Sequence, residues 1–135
     1  MTEQPDISAN LPELERQVFD VVRGGGRLSV NEVAEQITAQ KRPLAYTTVM
    51  TVLTRLWQKG YLARKQEGRA FLYEARPEDD IAGDQGGRAA REAIAKFGVP
   101  ALTGFVRTLS PEQRALVAKL LDDDRAEWAE GKAVP

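Results

Sequence analysis

The chain has no cysteine and no histidine among its 135 residues. Their absence excludes a disulfide framework, thiol catalysis, zinc fingers and any Cys/His metal centre. It also removes the commonest general base. Carboxylates, tyrosine and lysine remain, but they show no metal-ligand spacing, no phosphate-cradling glycine loop and no nucleophile elbow. Gly24-Gly25-Gly26 follows a predicted helix rather than a strand, so it reads as a helix stop and turn. The chain is not expected to be an enzyme or to carry a cofactor or metal. No apolar run approaches the roughly 20 residues of a membrane span. The N-terminus lacks the basic and apolar regions of a secretory signal. Both absences point to a cytoplasmic protein with no membrane partner.

A large net charge is also missing, the sum being −1. The distribution is more informative. Residues 1–40 sum to −4, residues 41–76 to +6 and residues 77–135 to −3. A basic segment on an otherwise acidic chain can hold a phosphate backbone locally while the remainder discourages non-specific adhesion.

Inside the basic segment, residues 45–56 read Ala-Tyr-Thr-Thr-Val-Met-Thr-Val-Leu-Thr-Arg-Leu. At 100° per residue, Val49, Val52, Leu53 and Leu56 share one side of a helix, at core spacing. Thr47, Thr48, Thr51, Thr54, Arg55 and Gln58 share the other. Threonine is a poor helix former because β-branching restricts χ1. A face that needed only solvation would use Glu, Lys or Gln. Short hydroxyls carrying methyl groups, beside one arginine, suit base edges in the DNA major groove. An amphipathic helix with an incidentally Thr-rich surface is the competing reading, and the flanking residues bear on it.

Residues 1–10 are polar and are expected to form a flexible tail. A first helix is predicted from about Leu11–Glu13 to Arg23, with Leu14, Val18, Val21 and Val22 inward. Arg27-Leu28 suits a short strand. Ser29-Val-Asn-Glu32 is a capping box that opens a second helix. The Thr-rich third helix follows a connection containing Lys41, Arg42 and Pro43, and Gly60 is its natural stop. The period then becomes alternating: residues 61–66 and 70–74 flank Glu67-Gly68-Arg69, giving a β-hairpin with a basic tip. Three helices and a basic hairpin make the winged helix-turn-helix pattern, with the third helix in the major groove.

The expected fold is therefore mainly α. A winged-helix DNA-binding domain spans 11–76, and a helical dimerisation domain spans 77–131. Gly83, Gly86 and Gly87 are expected to kink or break the helix predicted over Pro77 to Lys96, since each glycine costs roughly 1 kcal/mol against alanine. Pro100 should open a new helix, and Ser110-Pro111-Glu112-Gln113 is a clear helix start. Leu102, Phe105, Val106, Leu116 and Leu120 are candidate dimerisation residues, because amphipathic helices outside the main core need a partner, most often a second copy. An intramolecular helical cap is the alternative.

Thr47, Thr48 and Thr51 are the candidate base-contacting residues, with Arg55 on a phosphate or a guanine edge. Lys41, Arg42, Arg64, Lys65 and Arg69 are the candidate phosphate contacts. Tyr46 is expected to pack at the N-terminus of the third helix, either with its hydroxyl on a phosphate or simply in the core. The rival from another class is a winged-helix protein-interaction module without sequence-specific DNA affinity. A small-molecule effector between the domains is a third reading, with no pocket marked in the sequence.

Ala45-Tyr46-Thr47-Thr48-Val49-Met50-Thr51, then Leu53-x-Arg55-Leu56-x-x-Lys59-Gly60-Tyr61-Leu62 and Glu67-Gly68-Arg69-Ala70, resemble the signature of the penicillinase-repressor family of BlaI/MecI type. The resemblance covers about residues 11 to 75 well and the later helices loosely. It implies a homodimeric transcriptional repressor on inverted repeats with TACA/TGTA-like half-sites, controlling β-lactamase or antibiotic-response genes. It further implies a sensor-protease system that cleaves the dimerisation region between Asn and Phe. The matching stretch is Leu102-Thr103-Gly104-Phe105-Val106, where Gly104 stands in place of Asn and Phe105 fits. The family's copper-responsive branch uses C-terminal cysteines, which this chain lacks.

Overall fold

The computed structural model describes residues 5–40 and 43–129. Its elements run in the order α1 (Glu13–Gly25), β1 (Leu28–Ser29), α2 (Val30–Gln40), α3 (Tyr46–Gln58), β2 (Leu62–Glu67), β3 (Ala70–Ala75), α4 (Glu78–Phe97), α5 (Pro100–Thr108) and α6 (Pro111–Ala129). The chain forms two compact units, Met1–Arg88 and Ala89–Pro135.

The first unit is a three-helix core with a small antiparallel sheet ordered β1-β3-β2. Its interior is aliphatic: Val18 and Val22 of α1, Val33 and Ile37 of α2, and Val49, Leu53 and Leu56 of α3 are fully buried. These are the stripes that helical spacing predicts. Phe19 meets the Tyr61 ring edge-on at 5.5 Å, closing the core beside α3's last turn. Burial, and secondarily the Glu15 carboxylate, push the Tyr61 hydroxyl pKa up.

Local chemistry sets the element ends. Gly26, with φ +77, terminates α1. The Ser29 hydroxyl accepts from the Glu32 amide at 3.2 Å, and the Glu32 carboxylate accepts from the Ser29 amide at 3.0 Å, a reciprocal capping box. Ser110 and Gln113 repeat this at the head of α6. The hairpin turns on Gly68 and Arg69 between the paired residues Glu67 and Ala70. Gly68 has φ +61 there, a conformation most residues avoid.

Two regions differ from the sequence expectation. The stretch read as a tail is tied down from Asp6 onward: Ser8 is buried, and Ile7 and Leu11 pack on the core. The Ser8 amide, then its hydroxyl, donate to the Asp6 carboxylate and hold its pKa below the usual range. Residues 1–4 of that stretch lie outside the described residues. The second difference is α4, which runs as one helix through Gly83, Gly86 and Gly87 instead of breaking. Its inner face is anchored: Ile81 is fully buried, and Gln85 and Arg88, one and two turns on, bond α3. These contacts outweigh the glycine cost, and they carry the first unit through Arg88, beyond the Arg76 boundary read from the sequence.

In the second unit, α5 buries no residue. Leu102, Phe105, Val106, Leu116 and Leu120 are all exposed. Ala90, Ala93, Ile94, Ala101, Leu102 and Phe105 line an apolar hollow of about 170 Å³. Gly104 and Phe105 lie within α5, as regular helix.

Because Ile81 belongs to the core, Ile81→Ala should destabilise the first unit by about 2–5 kcal/mol in denaturant unfolding, as buried Ile→Ala changes do.

Candidate nucleic-acid interface

The core face of α3 fixes which side chains it leaves outside. With Val49, Val52, Leu53 and Leu56 buried against α1 and α2, Thr47, Thr51 and Arg55 are exposed and Thr48 is half-buried. These four, with Leu14 and Val52, line a shallow depression. The Thr51 hydroxyl donates to the Thr47 carbonyl and the Thr54 hydroxyl to the Met50 carbonyl, both at 2.9 Å. Tyr46 does not pack in the core: it is 49% exposed. Met50, one turn on, is also exposed, and sequence reasoning passed over it. The helical wheel places it beside Thr47 and Thr54, so the signal was present.

The wing is built on period two. Leu62 is buried, so Arg64 shares its face. The Arg64 guanidinium lies 3.5 Å from the Trp57 ring centroid and 4.1 Å from that of Phe71. Arg64 thus stacks on two aromatic rings, one from α3 and one from β3, and ties the wing to α3. Lys65 points to the opposite face, and Arg69 sits at the exposed tip.

Other cations of the basic segment are also engaged. The Lys59 amine pairs with the buried Glu15 carboxylate at 2.5 Å. Arg76 pairs with Asp84 and also donates to the Gly60 carbonyl at 2.7 Å. Lys41 and Arg42 lie outside the described residues. Among the described residues, Arg55, Lys65 and Arg69 are the cations of this segment that remain exposed and outside any ion pair.

The C-terminal end of α3 is closed with unusual completeness. Gly60 takes φ +89. The Gln58, Lys59 and Gly60 carbonyls accept from Arg88 at 3.0 Å, Gln85 at 2.5 Å and Arg76 at 2.7 Å. Two of these donors are cationic, the favourable sign at a helix C-terminus.

A Thr-rich helix held rigidly at its far end, beside a basic hairpin, is the geometry of a winged helix-turn-helix. The sequence profile of the penicillinase repressor family matches residues 11–123. The chain belongs to the penicillinase repressor family. It is accordingly a DNA-binding transcriptional repressor and not an enzyme. Among solved structures, it is similar to the DNA-binding domain of the repressor BlaI, at 26% identity over 58% of this chain and 93% of that one, with a TM-score of 0.47. It is also similar to Bordetella bronchiseptica BpsR, whose DNA binding is regulated by 6-hydroxynicotinic acid, at 24% identity over 86% and 78% of the two chains, with a TM-score of 0.43. A MarR family protein from Bacillus stearothermophilus matches at 18% identity over 89% and 76%, with a TM-score of 0.43. No curated protein matches the chain. No helix among the described residues is long and apolar enough to cross a membrane.

The aromatic sandwich yields a direct test. In a Trp128→Phe background, Arg64→Ala should red-shift the Trp57 emission and lower stability by about 1 kcal/mol. Arg64→Lys, which keeps the charge but loses the planar stacking, should behave more like Ala than like wild type.

Proposed function

We propose that this repressor acts as a homodimer on an inverted-repeat operator, with α3 of each copy in the major groove. The observation that carries the reading is the exposed threonine face of α3 flanked by unpaired Arg55, Lys65 and Arg69. Thr47, Thr48 and Thr51 contact bases. Arg55 contacts a phosphate or a guanine edge, and Lys65 and Arg69 hold phosphates from the wing, with Lys41 and Arg42 doing so ahead of α3. Arg64 acts through its stacked position, with only its N–H edges available to a phosphate. The Tyr46 hydroxyl is free to reach a phosphate.

Dimerisation is assigned to the helices after Arg88. Leu102, Phe105, Val106, Leu116 and Leu120 are exposed without a covering layer of their own unit. A two-fold partner removes that surface from water and spaces two reading helices for two half-sites. Repression follows from occupancy of a promoter, and β-lactamase or related antibiotic-response genes are the proposed targets. Release through a sensor-protease acting at Gly104–Phe105 requires α5 to open first, because a protease binds an extended chain.

Selection from random duplex DNA at near-physiological salt tests the proposal. Recovery of an inverted repeat supports it. No enrichment by a folded protein favours the protein-interaction module instead. On a recovered site, Arg69→Ala should weaken binding to specific and random DNA alike and reduce the salt slope by about one. Phe105→Asp and Leu120→Asp should each shift the protein toward monomer in sedimentation and abolish operator binding. A monomer that still binds tightly refutes the dimer requirement.

A further inference from the structure

Between Tyr46 and Trp57, α3 carries no amide and no carboxylate side chain. Those are the groups that pair with adenine and cytosine edges in the major groove. Arg55 is the single side chain of this stretch that can make the bidentate guanine contact. What remains outward is apolar or nearly so. Tyr46 and Met50, at i and i+4, are 49% and 42% exposed. The threonine hydroxyls are less available than the sequence suggests. Thr51 and Thr54 turn their protons inward onto the Thr47 and Met50 carbonyls. This leaves each with a methyl group and acceptor lone pairs, and no donor.

We infer that α3 reads thymine 5-methyl groups, with the Met50 thioether as the principal contact and the Thr51 methyl as the second. The thymine methyl is the only methyl group on the major-groove edge of an unmodified base pair. A long, unbranched, polarisable side chain conforms to it without needing a fixed rotamer. The wing stack of Trp57 and Arg64 holds the flank of α3 on which Tyr46 and Met50 lie. The inference rests on the proposed role of α3 as the reading helix, and it names the chemistry that helix selects.

The test uses the full-length protein and the duplex recovered by selection. Each half-site thymine is replaced in turn by deoxyuridine, which removes the methyl and leaves every hydrogen-bonding group in place. Wild type should lose about fourfold in affinity at each methyl it reads, the equivalent of one buried methylene. Met50→Ala should bind thymine and deoxyuridine equally at one position and keep wild-type sensitivity elsewhere. Both residues are exposed, so the variants should retain wild-type circular dichroism and thermal midpoint. Thr51→Val, which keeps a methyl and deletes the hydroxyl, should bind within twofold of wild type. Thr51→Ser, which does the reverse, should lose about fourfold.

Insensitivity of wild type to deoxyuridine at every position, on a site it binds selectively, overturns the inference and leaves the operator reading intact. So does Thr51→Ser binding normally while Thr51→Val fails, since that would make the hydroxyl the reading group. If Met50→Ala stays as sensitive as wild type at every thymine, Met50 is not the contact. Failure to select any duplex overturns the operator reading itself, and this inference with it.

Discussion

The C-terminal end of α3 is the constraint on which the rest of the first unit depends. A helix leaves its last carbonyls without intrahelical partners, and a buried helix end cannot leave them to water. Here Gly60 turns the chain, and Arg76, Gln85 and Arg88 donate to three consecutive carbonyls. Lys59, at the same place, neutralises the Glu15 carboxylate that α1 carries into the interior. The lysine stays partly exposed while the carboxylate is covered, so the pair gives Glu15 a partner at the edge of the core. An added Cβ at Gly60 would sit 3.4 Å from the Arg76 guanidinium, in a backbone region that L-residues rarely adopt. One turn of chain thus joins α1, α3, the wing exit and the start of α4.

That closure has a consequence for charge. Lys59, Arg76 and Arg88 face their own protein, and Arg64 is stacked between rings. Three of the eight cations in residues 41–76, Lys59, Arg64 and Arg76, are therefore engaged within the protein. The cations that stay exposed among the described residues, Arg55 on the side of α3 and Lys65 and Arg69 on the wing, are the ones proposed to face phosphate. Phosphate contacts at two points fix the angle at which a helix enters a groove, which contacts clustered at one point cannot do.

Helical and strand periodicity made most of the fold legible. Val49, Val52, Leu53 and Leu56 announced the core face of α3, and the Ser29 and Ser110 capping boxes marked two helix starts to the residue. The resemblance carried by Ala45 to Thr51 agrees with the family to which the chain belongs. Three features stayed hidden, for different reasons. The placement of Arg64 follows from strand alternation once Leu62 is known to be buried, but basic residues near a hairpin tip invite a phosphate reading first. The continuity of α4 depends on Gln85 and Arg88 reaching across to α3, over sequence separations of 26 and 30 residues, and no local propensity encodes that. The anchoring of Ser8 rests on an Asp6 turn and on Ile7 meeting the core, a tertiary contact that outweighs the local polarity.

The modest free charge also bears on why two copies serve the proposed function better than one. Arg55, Lys65 and Arg69, with Lys41 and Arg42, allow about five phosphate contacts per chain, and counterion release scales with their number. One unit alone would lose most of its affinity at cellular salt. Two units joined through their C-terminal helices double the phosphate contacts. They also convert the second docking into an intramolecular step, at an effective concentration set by the connection. On the proposed function, affinity then depends on dimerisation, while discrimination stays with the side chains of α3. A surface of methyl groups contributes little to binding random sequence, because it has nothing to offer a phosphate. In the proposed arrangement α3 carries a single exposed cation, Arg55, so most of the phosphate attraction comes from outside the reading helix and non-specific affinity stays low.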